Sequence, residues 1–150
     1  MARKPPPLHL IKLSVGAESV EDLAAWQAAR MAERRARGER DNPIHITRMF
    51  PKRGEELLSG GSIFWVIKGV ILVRQKLVAL ESMVTDKGIK ACRIVLDPKL
   101  IRTDPQPRRP FQGWRYFEAK DAPADIGPVG EVDDDIPETL LRELSALGLV

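Results

Sequence analysis

The sequence predicts an α+β fold: a small, mixed and mostly antiparallel β-barrel with one N-terminal helix and a C-terminal tail helix. Two observations predict this fold. About six short segments rich in β-branched and aromatic residues are separated by turn signals. Only one helical pattern interrupts them, whereas strands and helices alternate in a doubly wound parallel sheet. The chain has 150 residues, and 43% of them are hydrophobic. This length and composition are typical of one domain with a single core.

Turn signals delimit each predicted element. The first helix begins after Ser19, a good N-cap residue, with Glu21 and Asp22 in its first turn, and it ends at Gly38. A short helical turn is predicted at 54–58. Strands are predicted at 8–13, 44–50, 62–68, 70–81, 91–96 and 113–117.

The strand pattern is ambiguous around Gly69 and is interrupted in a proline-rich segment. The segments 62–68 and 70–81 flank Gly69, and they predict either a hairpin or one bent strand with a bulge. Four prolines lie between residues 98 and 110, and they predict irregular structure there.

The chain divides into three parts by composition and charge. Residues 1–7 are predicted to be a disordered lead, residues 8–118 one domain, and residues 119–150 an acidic tail with a helix at 136–147. Residues 1–117 carry a net charge of +10 and residues 118–150 a net charge of −7. This polarity favours an anionic partner for the body or a tail that folds onto it, although ordinary surface charge explains it equally well.

Several classes of protein are excluded or disfavoured. No apolar run approaches the roughly 20 residues of a membrane-spanning helix, and no signal peptide pattern is present, so we expect a cytoplasmic protein without membrane contact. The single cysteine, Cys92, excludes an intramolecular disulfide. The only histidines, His9 and His45, are far apart, and no serine or cysteine motif accompanies them. We therefore assign no catalytic residue, metal or cofactor.

The aromatic residues cluster beside arginines. Six of the eight aromatics lie at 64–65 and 111–117, and the second group follows the arginine-rich segment 102–110. Aromatic rings beside guanidinium groups are typical of surfaces that stack on nucleobases and hold phosphates. Strand alternation places Trp114 and Tyr116 on one face and Arg115 and Phe117 on the other, so one of these pairs faces a core.

Four segments carry a resemblance to a known family. They are ITRMFPKR at 46–53, GGSIFWVIKG at 60–69 followed by RQ at 74–75, RIVLDP at 93–98 and RRPFQGWRY at 108–116. Over about residues 8–126 the chain resembles the uncharacterised bacterial domain-of-unknown-function family number 1489. That family supplies no catalytic residues to carry over. A more distant likeness, in the order of elements, is to the EVE and ASCH branches of PUA-like domains, and it implies an open barrel whose pocket holds RNA or a modified base.

The leading hypothesis is therefore a module that binds RNA or a modified nucleobase. Phosphate contacts are expected from Arg48, Lys52, Arg53, Arg102, Arg108 and Arg109. Stacking is expected from Trp65 and Trp114, and polar contacts to a base from Arg74, Gln75 and Gln112; Lys68 completes the predicted set.

Two alternatives stay open. A small enzyme acting on a nucleoside-like or anionic substrate would draw acid–base groups from Lys68, Glu81 and Asp97. A protein-interaction module would use the leucine stripe of the tail helix, since a helix of this length is marginal without a surface to pack on. The oligomeric state has no signal in the sequence.

Overall fold

The computed structural model describes residues 6–129 and shows an α+β chain with two helices and seven strands in that range. The elements are β1 (Leu8–Leu13), α1 (Val20–Ala36), β2 (Ile44–Thr47), α2 (Gly54–Leu58), β3 (Ser62–Ile67), β4 (Val70–Val84), β5 (Lys90–Pro107), β6 (Trp114–Glu118), a 3-10 turn (Ala119–Asp121) and β7 (Asp125–Pro128). The Ser19 side chain caps α1 by accepting a hydrogen bond from the Asp22 amide at 3.1 Å, as predicted.

All seven strands belong to one sheet of order β2-β5-β4-β3-β1-β6, and β7 pairs with β5. Only β1 and β3 run parallel; every other pair is antiparallel. The sheet is thus mixed and mostly antiparallel, as predicted. The connection between β3 and β4 is a hairpin, with Lys68 (φ 49°) and Gly69 (φ 81°) both in the left-handed region that a tight two-residue turn requires.

The predicted barrel is not found: the sheet does not close, because β2 and β6 end it without pairing with each other. The strand β2 has only four residues, and the chain leaves it at 48–53 to cross towards β6. Side chains bridge the two ends there instead of a backbone ladder. The Trp114 indole N–H donates to the Met49 carbonyl at 2.8 Å, and the Arg53 amide donates to the Tyr116 hydroxyl at 3.1 Å.

The prediction of irregular structure at 98–110 is wrong for 98–107, which belong to β5, and is confirmed for 108–110. The strand β5 passes through Pro98 and Pro105 and ends at Pro107. Its ladder with β4 shifts register at Lys76 and at Leu72, and the two internal prolines lie opposite those shifts. A residue at a bulge is left out of the ladder, so a proline there removes no hydrogen bond.

The sheet has an apolar cluster on each face. The larger cluster includes Leu23 of α1 together with Ile63, Leu77, Ile94 and Leu96. Val66 is also buried, but it belongs to the smaller cluster on the opposite face, with Ile11, Phe64, Ile71 and Phe117. The sequence predicts a single core, whereas the structure has two apolar clusters, one on each face of the sheet.

A buried glutamine joins α1 to the sheet. The Gln75 amide oxygen accepts from the Trp65 indole N–H and from Gln27 Nε2, both at 2.9 Å. The Gln75 amide nitrogen donates to Gln27 Oε1 at 2.7 Å and to the Asp97 carbonyl at 3.1 Å. Gln75 has no solvent exposure, so all four of its hydrogen-bonding positions are satisfied within the protein.

The sheet extends beyond Glu118, because β7 adds a strand from the segment predicted to be tail. The predicted tail helix at 136–147 lies outside the described residues. Among residues 6–129, neither helix has both the length and the apolar character that crossing a membrane would need.

Replacing Gln75 by leucine should destabilise the protein by about 3 kcal/mol, because the Trp65 indole, the Gln27 amide and the Asp97 carbonyl lose their partners while buried. Urea unfolding measures the change. The matched control is Gln106→Leu in β5, whose amide makes one exposed 3.3 Å hydrogen bond to the Asp121 carbonyl and should cost under about 1 kcal/mol. Equal costs for both variants would contradict this role of Gln75.

Candidate functional site

An open cleft of about 500 Å³ lies between the β5–β6 connection and the face of the smaller apolar cluster. We call it the arginine cleft. Its lining residues are Ile11, Pro107, Arg108, Arg109, Pro110, Phe111, Arg115, Tyr116 and Phe117. Three of them are arginines and three are aromatic, and no carboxylate of residues 6–129 lines the cleft.

The local sequence fixes the connection that forms this cleft. The Arg108 amide, directly after β5, donates to the Gly69 carbonyl at 2.7 Å and ties the connection to the β3–β4 turn. Pro107 and Pro110 restrict the backbone, and Gly113 (φ 68°) supplies the left-handed residue at which the chain turns into β6. The cleft is therefore bordered by a restrained segment.

Two arginines in the cleft stack on aromatic rings. The Arg108 guanidinium lies 5.0 Å from the centre of the Phe117 ring, and the Arg115 guanidinium lies 5.1 Å from that of Phe111. Phe117 is buried and packs edge-on against Phe64. Such stacking holds each guanidinium in place over its ring. Arg108 Nε is buried and has no hydrogen-bond partner among the described residues, whereas Arg115 is exposed.

The charges of the cleft arginines are uncompensated within residues 6–129, where Arg108, Arg109 and Arg115 form no ion pair. By contrast, Arg35 of α1 pairs with Asp41, and Arg37, just after α1, pairs with Glu39, each at 3.1 Å. An unpaired cluster of like charges attracts anions, whereas a paired one presents little net field.

A second basic surface, the segment 48–53, meets the cleft at Tyr116. The Arg53 guanidinium lies 5.4 Å from the centre of the Tyr116 ring and also pairs with Glu56. Arg48 and Lys52 are exposed on the same segment. Tyr116 therefore links Arg53 of this segment to the cleft that holds Arg108 and Arg109.

Gln112 is exposed in the segment that borders the cleft. Trp114, in contrast, packs against the larger apolar cluster, and its indole N–H is used by the Met49 carbonyl. Trp65 is buried with 3% of its surface exposed. Its N–H and the whole Gln75 amide belong to the buried network described above.

Two of the predicted arginines have carboxylate partners within the protein. Arg102 is 2% exposed and pairs with Glu21 at 3.3 Å. Arg74 holds Asp125 in a two-point contact of 2.6 and 2.7 Å and donates to the Ser62 hydroxyl at 2.8 Å. These bonds hold β7 on the sheet, and the Arg74 hydrogen bond keeps the pKa of Asp125 below its ordinary value.

The acid–base groups of the enzymatic alternative do not meet. Lys68 lies in the turn that precedes β4 and contacts Glu18 at 3.8 Å. Glu81 lies toward the other end of β4 and pairs with Arg40, whose hydrogen bond lowers the pKa of that carboxyl. The Asp97 carboxylate accepts from the Lys99 amide at 2.8 Å. Each group thus has a separate local partner.

Sequence reasoning left several residues of the arginine cleft out of the predicted set, namely Phe111, Arg115, Tyr116 and Phe117. The alternation at 114–117 was the available signal, and it placed Arg115 and Phe117 on one face. That face is the one that carries the smaller apolar cluster and the cleft. A strand pattern separates two faces but does not show which one opens to solvent.

His45 is a titratable residue on the face of the sheet that lies opposite the arginine cleft. Its ring packs edge-on against Trp65 with a centre-to-centre distance of 5.3 Å. Burial, and secondly the positive charge of Lys12, lower the pKa of His45 to about 4. The imidazole is therefore neutral at pH 7.

Comparison with known proteins gives one family match. The model of DUF1489, described as a protein of unknown function, matches residues 10–150. No curated protein and no solved structure matches the chain.

The low pKa of His45 predicts acid sensitivity. The unfolded chain binds a proton near pH 6.5 and the folded chain only near pH 4, so stability should fall with decreasing pH between these values, by at most about 1.4 kcal/mol per pH unit from this group. The His45→Phe variant keeps an aromatic ring against Trp65 and should show a flatter stability profile in that range. Urea midpoints measured from pH 7.5 to 4.5 that run parallel for both proteins would contradict the assignment.

Proposed function

Since the chain belongs to the DUF1489 family of proteins of unknown function, we propose from the geometry of the site that it is a module that binds single-stranded RNA in the arginine cleft. The observation that carries the proposal is the pair of guanidinium groups stacked on Phe117 and Phe111, in a cleft that no carboxylate from the described part of the chain lines. Guanidinium N–H groups hydrogen-bond phosphate oxygens in a two-point geometry, and guanidinium and aromatic planes stack on bases.

The chemistry of the cleft favours a single strand over a duplex. The bases of a duplex are stacked on each other and shield their faces, whereas those of a single strand are free to stack on protein rings. Phe111 is partly exposed at the rim, where a base can reach it. Arg109, which is exposed and stacked on no ring, then contacts the phosphate backbone.

The segment 48–53 lengthens the proposed path. Tyr116 lines the cleft and also contacts Arg53. An RNA chain that leaves the cleft across Tyr116 therefore meets Arg48 and Lys52 next. These exposed cations are suited to contact the phosphate backbone, and such contacts position the RNA without reading its base sequence. Trp65, Gln75 and Arg102 take no part in this proposal, because they are buried.

Two further relations belong to the same proposal. The order of strand, helix and strand at the N-terminus, together with a mostly antiparallel sheet, supports a distant relation to PUA-like domains. A buried free thiol at Cys92 and an RNA partner both suit the reducing cytoplasm.

The binding of a short oligouridylate should weaken as salt rises, because the protein displaces counterions from the phosphates. Replacing Arg108 and Arg109 together by alanine should lower the slope of log affinity against log salt by roughly 1 to 2, at about 0.7 for each lost phosphate contact. Fluorescence anisotropy at several potassium chloride concentrations measures this slope.

The control removes the same charge elsewhere. Arg35 and Arg37 are exposed and neutralised by Asp41 and Glu39, so the Arg35→Ala, Arg37→Ala double variant should leave the slope within about 0.3 of the wild-type value. An affinity that does not depend on salt, or an equal loss of slope in both double variants, would overturn the proposal.

A further inference from the structure

A small cavity of about 50 Å³ lies between α1 and the face of the sheet that carries the larger apolar cluster. We call it the α1 cavity, and its polar lining consists of Gln27, Arg30, Arg34 and His45, beside the rings of Trp26 and Trp65. The arginine cleft borders the smaller cluster, on the opposite face of the sheet. The two sites share no lining residue.

The α1 cavity is electropositive. Arg30 stacks on Trp26 at 4.7 Å, and Arg34 donates one hydrogen bond of 3.2 Å to the Asn42 carbonyl. Neither arginine has a carboxylate partner within residues 6–129, and no carboxylate lines the cavity. The charge of Lys12 adds to the positive potential at His45.

One polar atom at this site lacks a hydrogen bond. His45 Nε2 is buried and has no partner among the described residues. Gln27 also lines the cavity, but its amide bonds Gln75 and makes no hydrogen bond to His45. A buried nitrogen without a partner costs free energy, which a ligand in the cavity would recover.

We propose that the α1 cavity binds the carboxylate group of a small organic acid. A water molecule takes up about 30 Å³ in the liquid, so the cavity has room for a carboxylate group but not for a large body, which would lie outside beside Trp26. The carboxylate accepts hydrogen bonds from the free N–H groups of Arg34 and Arg30 and from His45 Nε2–H. This assigns His45 the tautomer protonated at Nε2, a neutral donor at pH 7.

The probe is sodium acetate, titrated into the full-length protein at pH 7 while the His45 imidazole signals are followed by NMR. Sodium chloride at equal ionic strength is the reference. Acetate should shift the His45 signals saturably, whereas chloride should not. Arg34→Gln and, separately, Arg30→Gln should each weaken acetate binding about tenfold, as expected for the loss of a hydrogen bond between charged groups. Arg35→Gln, an equal charge change outside the cavity, should bind acetate like the wild type.

Two results of the acetate titration would overturn the proposal. One is a shift of the His45 signals that rises linearly with acetate concentration and that chloride reproduces, which would indicate that only water occupies the cavity. The other is an affinity that neither Arg34→Gln nor Arg30→Gln changes while both variants stay folded. Inorganic phosphate is titrated in a parallel experiment. If phosphate binds saturably and acetate does not bind, the result would also contradict a carboxylate site. The Arg108→Ala, Arg109→Ala variant should retain acetate binding, so this test is independent of the RNA proposal.

Discussion

The four hydrogen bonds of the buried Gln75 amide hold together the parts of this fold that are distant in sequence. They join β4 to Trp65 on β3, to the Asp97 carbonyl on β5 and to Gln27 on α1. A polar side chain without solvent exposure is tolerated only when its partners are all in place. Gln75 therefore holds α1 on one face of the sheet, over the larger apolar cluster, and leaves the other face to the connection that borders the arginine cleft.

The edge strand β6 divides its side chains between two tasks. Trp114 and Tyr116 point to the larger cluster and bond the segment 48–53, which bridges the open ends of the sheet. Arg115 and Phe117 point to the opposite face, where they form part of the arginine cleft. Tyr116 contacts both regions, since it also lines the cleft and meets the Arg53 guanidinium. The same five-residue strand thus stabilises the open sheet and shapes the proposed RNA site.

Local signals in the sequence predicted the elements that depend on neighbours along the chain. The Ser19 cap, the Lys68–Gly69 turn and the alternation around Arg115 all have local causes. The course of β5 through Pro98 depends instead on a bulge against β4, which a sequence pattern does not reveal. The burial of Trp65 and the pairing of Arg74 with Asp125, 51 residues later, are likewise decided by strand order. The basic residues of the candidate site were recognisable from composition, but only the fold separates unpaired arginines from paired ones.

The location of bound RNA tests the central claim most directly. Backbone amide signals of the full-length protein, followed by NMR during titration with a short oligouridylate, would map the contact surface. We expect the largest shifts at 108–117 and smaller ones at 48–53, with the signals of the exposed face of α1 around Arg35 unchanged. Shifts centred on α1 or on the far end of the β4–β5 hairpin, with the 108–117 signals unmoved, would contradict the central claim.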